Sequence, residues 1–161
     1  MDRKALIQKR KSIPDRSEKE KAIVEKLLPF LKGKRCAGYV AVRGEASIMN
    51  EHISYVPKVT GETEMVFMKA ENLQPGTFGV PEPCGTEPID PQQIDVIVVP
   101  MVAFMKTWRI GYGKGYYDRY LQSFDGLKIG IAFDEQEVAD YLPHEHDIPM
   151  DRIITPTRLI E

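Results

Sequence analysis

Most of the chemistry visible in this chain sits in one stretch, RIGYGKGYYDRYL, residues 109–121. Gly111, Gly113 and Gly115 alternate there, which lets the backbone approach a ligand closely and adopt positive φ angles. Exposed amides in such a loop, leading into a helix, form a cradle for an anion. Arg109 and Lys114 add positive charge at the same place. The spacing is neither GxxxxGK[ST] nor GxGxxG, so known nucleotide loops of those two kinds are excluded. A phosphate cradle and a plain structural turn both fit the bare pattern.

Asp118 falls in the first turn of the helix that should follow. A carboxylate is favoured there by the helix dipole alone. If a polyphosphate also binds, the two anions repel unless a divalent cation bridges them. Magnesium suits that position, because one or two carboxylates plus phosphate oxygens and water usually hold it. Tyr112, Tyr116, Tyr117 and Tyr120 crowd the same segment. Tyr116 and Tyr120 share a helix face, as do Tyr117 and Leu121. One pair is expected in the core, and the other to offer rings and hydroxyls to a flat aromatic ligand.

Other candidates carry weaker signals. His144-Glu145-His146-Asp147 resembles a metal site if it lies on a strand, where both imidazoles would point one way. Its nearest extra ligand is Asp151 and no cysteine is close, so zinc, magnesium through Asp147, and a polar loop all remain open. Glu45, after Gly44, reads by itself as an exposed loop acid. Lys9-Arg10-Lys11 reads as a solvated helix face unless a phosphate reaches it. Trp108 is either a ring over a ligand or a hydrophobic plug. Cys36 and Cys84 are too few for a disulfide framework and read as buried, reduced thiols. No GxSxG elbow is present to support a serine nucleophile.

These residues need a scaffold, and the pattern supplies one. Residues 4–11 are rich in helix formers and Pro14 ends them. Ser17 and Glu20 read as a capping box ahead of a buried stripe of Ile23, Leu27, Leu28 and Leu31, closed by Gly33. Strands are expected at 35–42, 65–68, 94–100, 127–133 and 152–154, with a short helix at 47–55 and another at 115–124. Residues 72–91 are loop-like in their glycines and prolines. The run IDVIVVP is continuously apolar after Asp95, as a central strand covered on both faces should be. Strands alternating with helices predict an α/β fold: a single three-layer α/β/α domain over residues 1–161 with a mostly parallel sheet. In such sheets ligands bind at the carboxyl ends of strands, where the glycine loop belongs.

Composition narrows the function classes. The 161 residues carry a net charge of −2, with 42% hydrophobic and 29% charged residues. That balance gives no global attraction for nucleic acid or an anionic membrane. No apolar run approaches the roughly 20 residues that span a bilayer. The first residues lack the apolar stretch of a secretory signal. A cytoplasmic, monomeric protein is the expectation.

The glycine segment closely resembles the signature of the 5-formyltetrahydrofolate cyclo-ligase family, which reads R-L-G-x-G-x-G-Y-Y-D-x-x-L. Further pieces match in the same order: a basic N-terminal helix, Gly44-Glu45, FGVPEP, IDVIVVP, GIAFDEQ, LPHEHD and RIITP. The resemblance implies an α/β/α fold and an ATP- and magnesium-dependent closure of 5-formyltetrahydrofolate to 5,10-methenyltetrahydrofolate. It implies reduced folate and ATP as small-molecule partners, with neither nucleic acid nor membrane. Carried over by position, the ATP site comprises Arg3, Arg109, Ile110, Gly111, Tyr112, Gly113, Lys114, Gly115, Tyr116 and Tyr117. Val40 and Glu45 become folate contacts, shared with Tyr112, Gly113, Lys114, Gly115 and Tyr116. Asp118 and Asp147 become the magnesium ligands, and Arg109, Lys114 and Tyr116 the groups around the transferred phosphoryl. Two departures stand out. The family's N-terminal lysine would fall before Met1, with Lys4 or the terminal amine as a substitute. Met105 stands where the family usually has aspartate, and MKTWR is one residue short. A binding protein of this fold without catalysis, or a sugar-phosphate enzyme using the loop without ATP, are the competing expectations.

Overall fold

The computed structural model describes residues 1–85 and 87–161, so Thr86, in the expected 72–91 loop, lies outside the described residues. Helix α1 (Arg3–Lys11) starts on Asp2, whose carboxylate accepts the Ala5 amide at 3.1 Å. Helix α2 (Arg16–Leu31) starts one residue before Ser17, on a left-handed Asp15 without a side-chain cap. The expected capping box is therefore absent. Glu20 instead accepts the amide of Ser47 at 2.5 Å, a tertiary partner that outcompetes the local one.

Strand β1 (Cys36–Ala37) is much shorter than residues 35–42. After Gly38 donates to the Tyr55 carbonyl, the chain leaves the sheet to line a cavity. The expected helix at 47–55 does not form. Asn50 accepts the His52 amide on its side chain and the Ile53 amide on its carbonyl, closing a turn that helix cannot continue. From it runs β2 (Ile53–Val59), whose β-branched residues pair antiparallel with β3 (Met65–Lys69). A small ribbon follows, β4 (Gln74–Pro75) with β5 (Pro81–Glu82), then β6 (Val96–Val99). Strands β7 (Ala103–Met105) and β8 (Trp108–Ile110) form a hairpin that pattern reading did not anticipate. Helix α3 (Tyr116–Leu121), β9 (Leu127–Ile131), β10 (Arg152–Ile154) and β11 (Leu159–Ile160) complete the chain.

The main sheet runs β11-β10-β9-β6-β1-β2-β3. Its four inner pairings are parallel, and only the two edge pairings are antiparallel. All four β6 residues are buried, and they alternate between two hydrophobic clusters. Val96 and Val98 pack with Ile23, Leu27 and Leu31 of α2. Ile97 and Val99 pack with Leu121, Phe124 and Phe104 on the opposite face. The fold is thus the expected α/β sandwich with a mostly parallel centre. Among the described residues no helix is long and apolar enough to cross a membrane. Cys36 is buried as expected, whereas Cys84 is exposed because it follows the β4–β5 ribbon on the surface.

Leu27 is fully buried at the α2–sheet contact. Leu27→Ala should therefore cost about 3 kcal/mol of stability, read as a lowered midpoint in urea unfolding.

Candidate functional site

The carboxyl ends of β1 and β6 and the end of β8 open onto one cavity of about 550 Å³, large enough for a substantial ligand. The glycine segment forms one wall. Gly113 and Gly115 take positive φ angles of 94° and 76°, which glycine alone adopts readily. Gly111 has no such angle and is needed for space: a Cβ there would lie 2.8 Å from the Arg109 guanidinium. The Arg3 Nε donates to the Gly111 carbonyl at 2.9 Å, so α1 clasps the loop.

Arg109 is buried, donates through Nε to the Pro100 carbonyl at 2.7 Å, and lies 4.9 Å above the Tyr117 ring. Burial pulls its proton affinity down, and the nearby Asp118 opposes that pull. Lys114 is exposed on the cavity rim, with Nζ 5.6 Å from the Phe78 ring. Asp118 and Asp147 line the same end. Asp118 accepts the Ile148 amide on Oδ1 at 3.3 Å. Asp147 accepts the Tyr141 hydroxyl and, at 2.9 Å, the His144 amide, both on Oδ2. Asp118 Oδ2 and Asp147 Oδ1 thus have no protein donor among the described residues.

Glu45 and Val40 line the same cavity. Far from being an exposed loop acid, Glu45 is only 7% exposed. Its Oε1 accepts the Val42 amide and its Oε2 the Tyr112 hydroxyl, each at 2.9 Å. Burial pushes its pKa up, and the Val42 amide, Arg10, Tyr112 and Arg109 pull it partly back.

The structure gathers most of the expected site residues and leaves a few outside. Lys4 is exposed and does not line the cavity. The Ile110 side chain is buried beneath the loop. Glu145 and His146 form a turn rather than a strand, and His144 lines the cavity but donates only its amide to Asp147. Among the described residues no group of three or more His, Cys, Asp or Glu side chains is placed to hold a metal ion together. Trp108 lies outside the cavity wall. The tyrosines divide by helix turn and not by helix face. Tyr116 and Tyr117 line the cavity with Tyr112, while Tyr120 packs edge-on to Phe67 at 5.0 Å and Leu121 enters the core.

Four participants were not anticipated: Arg10, Arg43, Phe78 and Tyr141. The last three line the cavity, Phe78 as the first residue of the FGVPEP piece and Arg43 and Tyr141 beside the Gly44-Glu45 and LPHEHD pieces. Arg10 is different. It is only 1% exposed, and its guanidinium donates to the Arg43 and Met101 carbonyls and to the Tyr112 hydroxyl. Its spacing after Leu6 and Ile7 places it on the inward stripe of α1, the one signal that distinguished it from Lys9 and Lys11.

The sequence model of the 5-formyltetrahydrofolate cyclo-ligase family matches residues 2–156. A 5-formyltetrahydrofolate cyclo-ligase of Mycoplasma pneumoniae is 32% identical over 170 aligned residues, covering 94% of each chain. Two solved structures are similar throughout. A 5,10-methenyltetrahydrofolate synthetase from Mycoplasma pneumoniae matches with a TM-score of 0.77 and 30% identity, over 97% of this chain and 99% of that one. The solution structure of a 5,10-methenyltetrahydrofolate synthetase from Aquifex aeolicus matches with a TM-score of 0.83 and 30% identity, over 98% and 89%.

The positive φ of Gly113 makes the loop intolerant of a side chain. Gly113→Ala should lower unfolding stability by about 1–2 kcal/mol, measurable in urea, although a Cβ there would meet only the Arg3 guanidinium, at an ordinary contact distance of 3.8 Å.

Proposed function

Because the chain belongs to the 5-formyltetrahydrofolate cyclo-ligase family, and is a ligase, we propose that its cavity binds ATP with magnesium at one end and reduced folate at the other. One observation carries this reading. The glycine loop, Arg3, Arg109 and Lys114 line one cavity together with two aspartates, and Glu45 and Val40 line the same cavity. The charges suit an anion with its counter-ion beside a neutral, hydrogen-bonding ring system.

The donor set fits magnesium: two carboxylates, each with one oxygen not engaged by the protein among the described residues, and no soft ligand nearby. When bound, magnesium supplies charge neutralisation for the β- and γ-phosphate oxygens. Asp118 and Asp147 would hold it. The loop amides of Gly111, Tyr112, Gly113, Lys114 and Gly115 would cradle the phosphates, with Arg3 at the edge and Ile110 and Tyr117 supporting from below and beside.

An N-formyl oxygen is a poor leaving group, so N10 cannot expel it unaided. In the proposed sequence the formyl oxygen attacks the γ-phosphorus and ADP departs, leaving a phosphorylated iminium at N5. N10 then bonds to the formyl carbon, the C–O bond to phosphate breaks, and N10 loses its proton as the methenyl ring forms. The protein's contribution is positioning and charge stabilisation. Arg109 and Lys114 would meet the charge on the transferred phosphoryl. Tyr116, 6.4 Å from Phe78, would frame the reacting centre. Val40 and Glu45 would hold the pterin end. No covalent nucleophile is required. The proposed enzyme is a single-domain monomer working in the cytoplasm.

The test is methenyl product formation from 5-formyltetrahydrofolate, followed by absorbance with and without ATP. Product should appear only with ATP and magnesium. Asp118→Ala should fold normally yet lose about a hundredfold or more in turnover. Wild-type turnover in that variant at saturating magnesium would remove the metal role.

A further inference from the structure

Tyr112 has one hydroxyl proton and two neighbours, and the identity of those neighbours decides where the proton goes. Arg10 Nη2 lies 2.6 Å from the hydroxyl oxygen, and Glu45 Oε2 lies 2.9 Å from it. A guanidinium can only donate. The hydroxyl must therefore accept from Arg10 and give its own proton to Glu45. We propose that Arg10, which never touches a ligand, is a positioning residue that locks Glu45 as a hydrogen-bond acceptor toward the folate. This rests on the reading of Glu45 as a folate contact.

The geometry makes the lock rigid. Arg10 does not line the cavity, and three hydrogen bonds to two carbonyls fix its fork. Nε and Nη2 reach the Arg43 carbonyl at 3.1 and 2.7 Å, and Nη1 reaches the Met101 carbonyl at 2.8 Å. The Arg10 guanidinium also lies 5.6 Å over the Tyr112 ring, so the ring cannot swing away cheaply. Downstream, each Glu45 oxygen has one protein donor, Val42 on Oε1 and Tyr112 on Oε2. A carboxylate oxygen accepts two, so one lone pair on each remains for ligand N–H groups. Without Arg10, the Tyr112 hydroxyl is free to accept a proton from a neutral Glu45 instead. The neutral acid would then be a weaker acceptor for the ligand N–H groups than the carboxylate is.

The groups facing Glu45 are Arg10 from α1, Tyr39 after β1, Arg109 on β8, Tyr112 in the glycine loop and Tyr117 on α3. Burial favours the neutral acid, and Arg10 is the leading charged group opposing it. Loss of the Arg10–Tyr112 link should therefore protonate Glu45 at a higher pH. A ligand that needs an acceptor then loses affinity as pH falls through that raised value.

The experiment follows kcat and KM for both substrates, the folate and ATP, across a range from about pH 5 to pH 8. It uses the wild type, Arg10→Gln, Arg10→Lys, Tyr112→Phe and Glu45→Gln, with thermal melts to confirm folding. In Arg10→Gln and Tyr112→Phe the folate KM should rise about tenfold at the acidic end, with its upturn displaced to higher pH. Arg10→Lys keeps the charge and should show a smaller displacement. In the two Arg10 variants the ATP KM and kcat should stay near wild type, since the loop amides are unchanged. A parallel rise of both KM values at every pH would reduce Arg10 to a structural role and overturn the proposal. So would an undisplaced upturn in Tyr112→Phe, which also decides the matter if Arg10→Gln does not fold. If Glu45→Gln leaves the folate KM unchanged, the reading of Glu45 fails and not merely the role of Arg10.

Discussion

A glycine loop cannot hold its own shape, because it has no side chains to pack and its conformation is entropically expensive to fix. Here two buried guanidinium groups supply what the loop lacks. Arg109 is anchored on the Pro100 carbonyl and Arg10 on the Met101 carbonyl, successive residues just past the end of β6. Those carbonyls have left the sheet ladder, and side chains donate to them instead: Arg109 to Pro100, and Arg10 together with Gln136 to Met101. Each arginine thus satisfies a stranded backbone group and fixes one part of the loop: Arg109 fills the space beside Gly111, and Arg10 holds the Tyr112 hydroxyl. The rigidity of the central strand passes to the cavity wall through these two contacts. A third clasp, Arg3 on the Gly111 carbonyl, brings α1 into the same assembly.

The same arrangement explains how a chain with net charge −2 presents cations to a ligand. Positive groups are concentrated where desolvation strengthens their field, and each is balanced locally. Arg109 faces Asp118, and Arg10 faces Glu45 through Tyr112. Burial raises the pKa of Glu45 and lowers that of Arg109, and in each case nearby opposite charges counter the shift. The carboxylates differ for this reason: Asp118 and Asp147 are half-buried, whereas Glu45 is almost fully buried and bonded to Tyr112.

What pattern reading captured, and what it missed, follows the range of the forces involved. β6 was legible because burial on both faces demands an unbroken apolar run, and α2 because one-sided burial imposes a helical stripe. The glycine segment was legible because close backbone approach admits few residue types. Segments governed by distant partners were not. Residues 47–55 have helix-compatible composition, yet Asn50 turns the chain and the pairing of Val56 with Met68 makes it strand. Glu20 looked like a cap because local spacing fits, but the Ser47 amide claims it across 27 residues. Lys9, Arg10 and Lys11 form one basic run, and the middle one is the buried anchor because its place on α1 lets it reach the Arg43 and Met101 carbonyls. The tyrosines divided by turn because the cavity covers only the first turn of a six-residue helix.

The segment around Met105 forms a tight hairpin that frames the edge of the loop. β7 and β8 close with only Lys106 and Thr107 between them, Lys106 taking a φ of 55°. The hairpin is tied down on all sides: Val102 donates to the Ile110 carbonyl, Met150 to the Thr107 carbonyl and Val138 to the Phe104 carbonyl. With its frame fixed at those three points, the direction of Arg109 does not depend on the length of the turn. A comparable economy sets the two aspartates. Asp118 sits on short α3 and Asp147 in a turn, elements too small to fix each other by packing. The amide of Ile148, adjacent to Asp147, donates to Asp118 Oδ1, so one hydrogen bond ties the backbone of one carboxylate to the side chain of the other. Tyr141 and the His144 amide then occupy Asp147 Oδ2, which orients its remaining oxygen. The separation of the acids is thereby a local property, held even though the residues lie far apart in the chain.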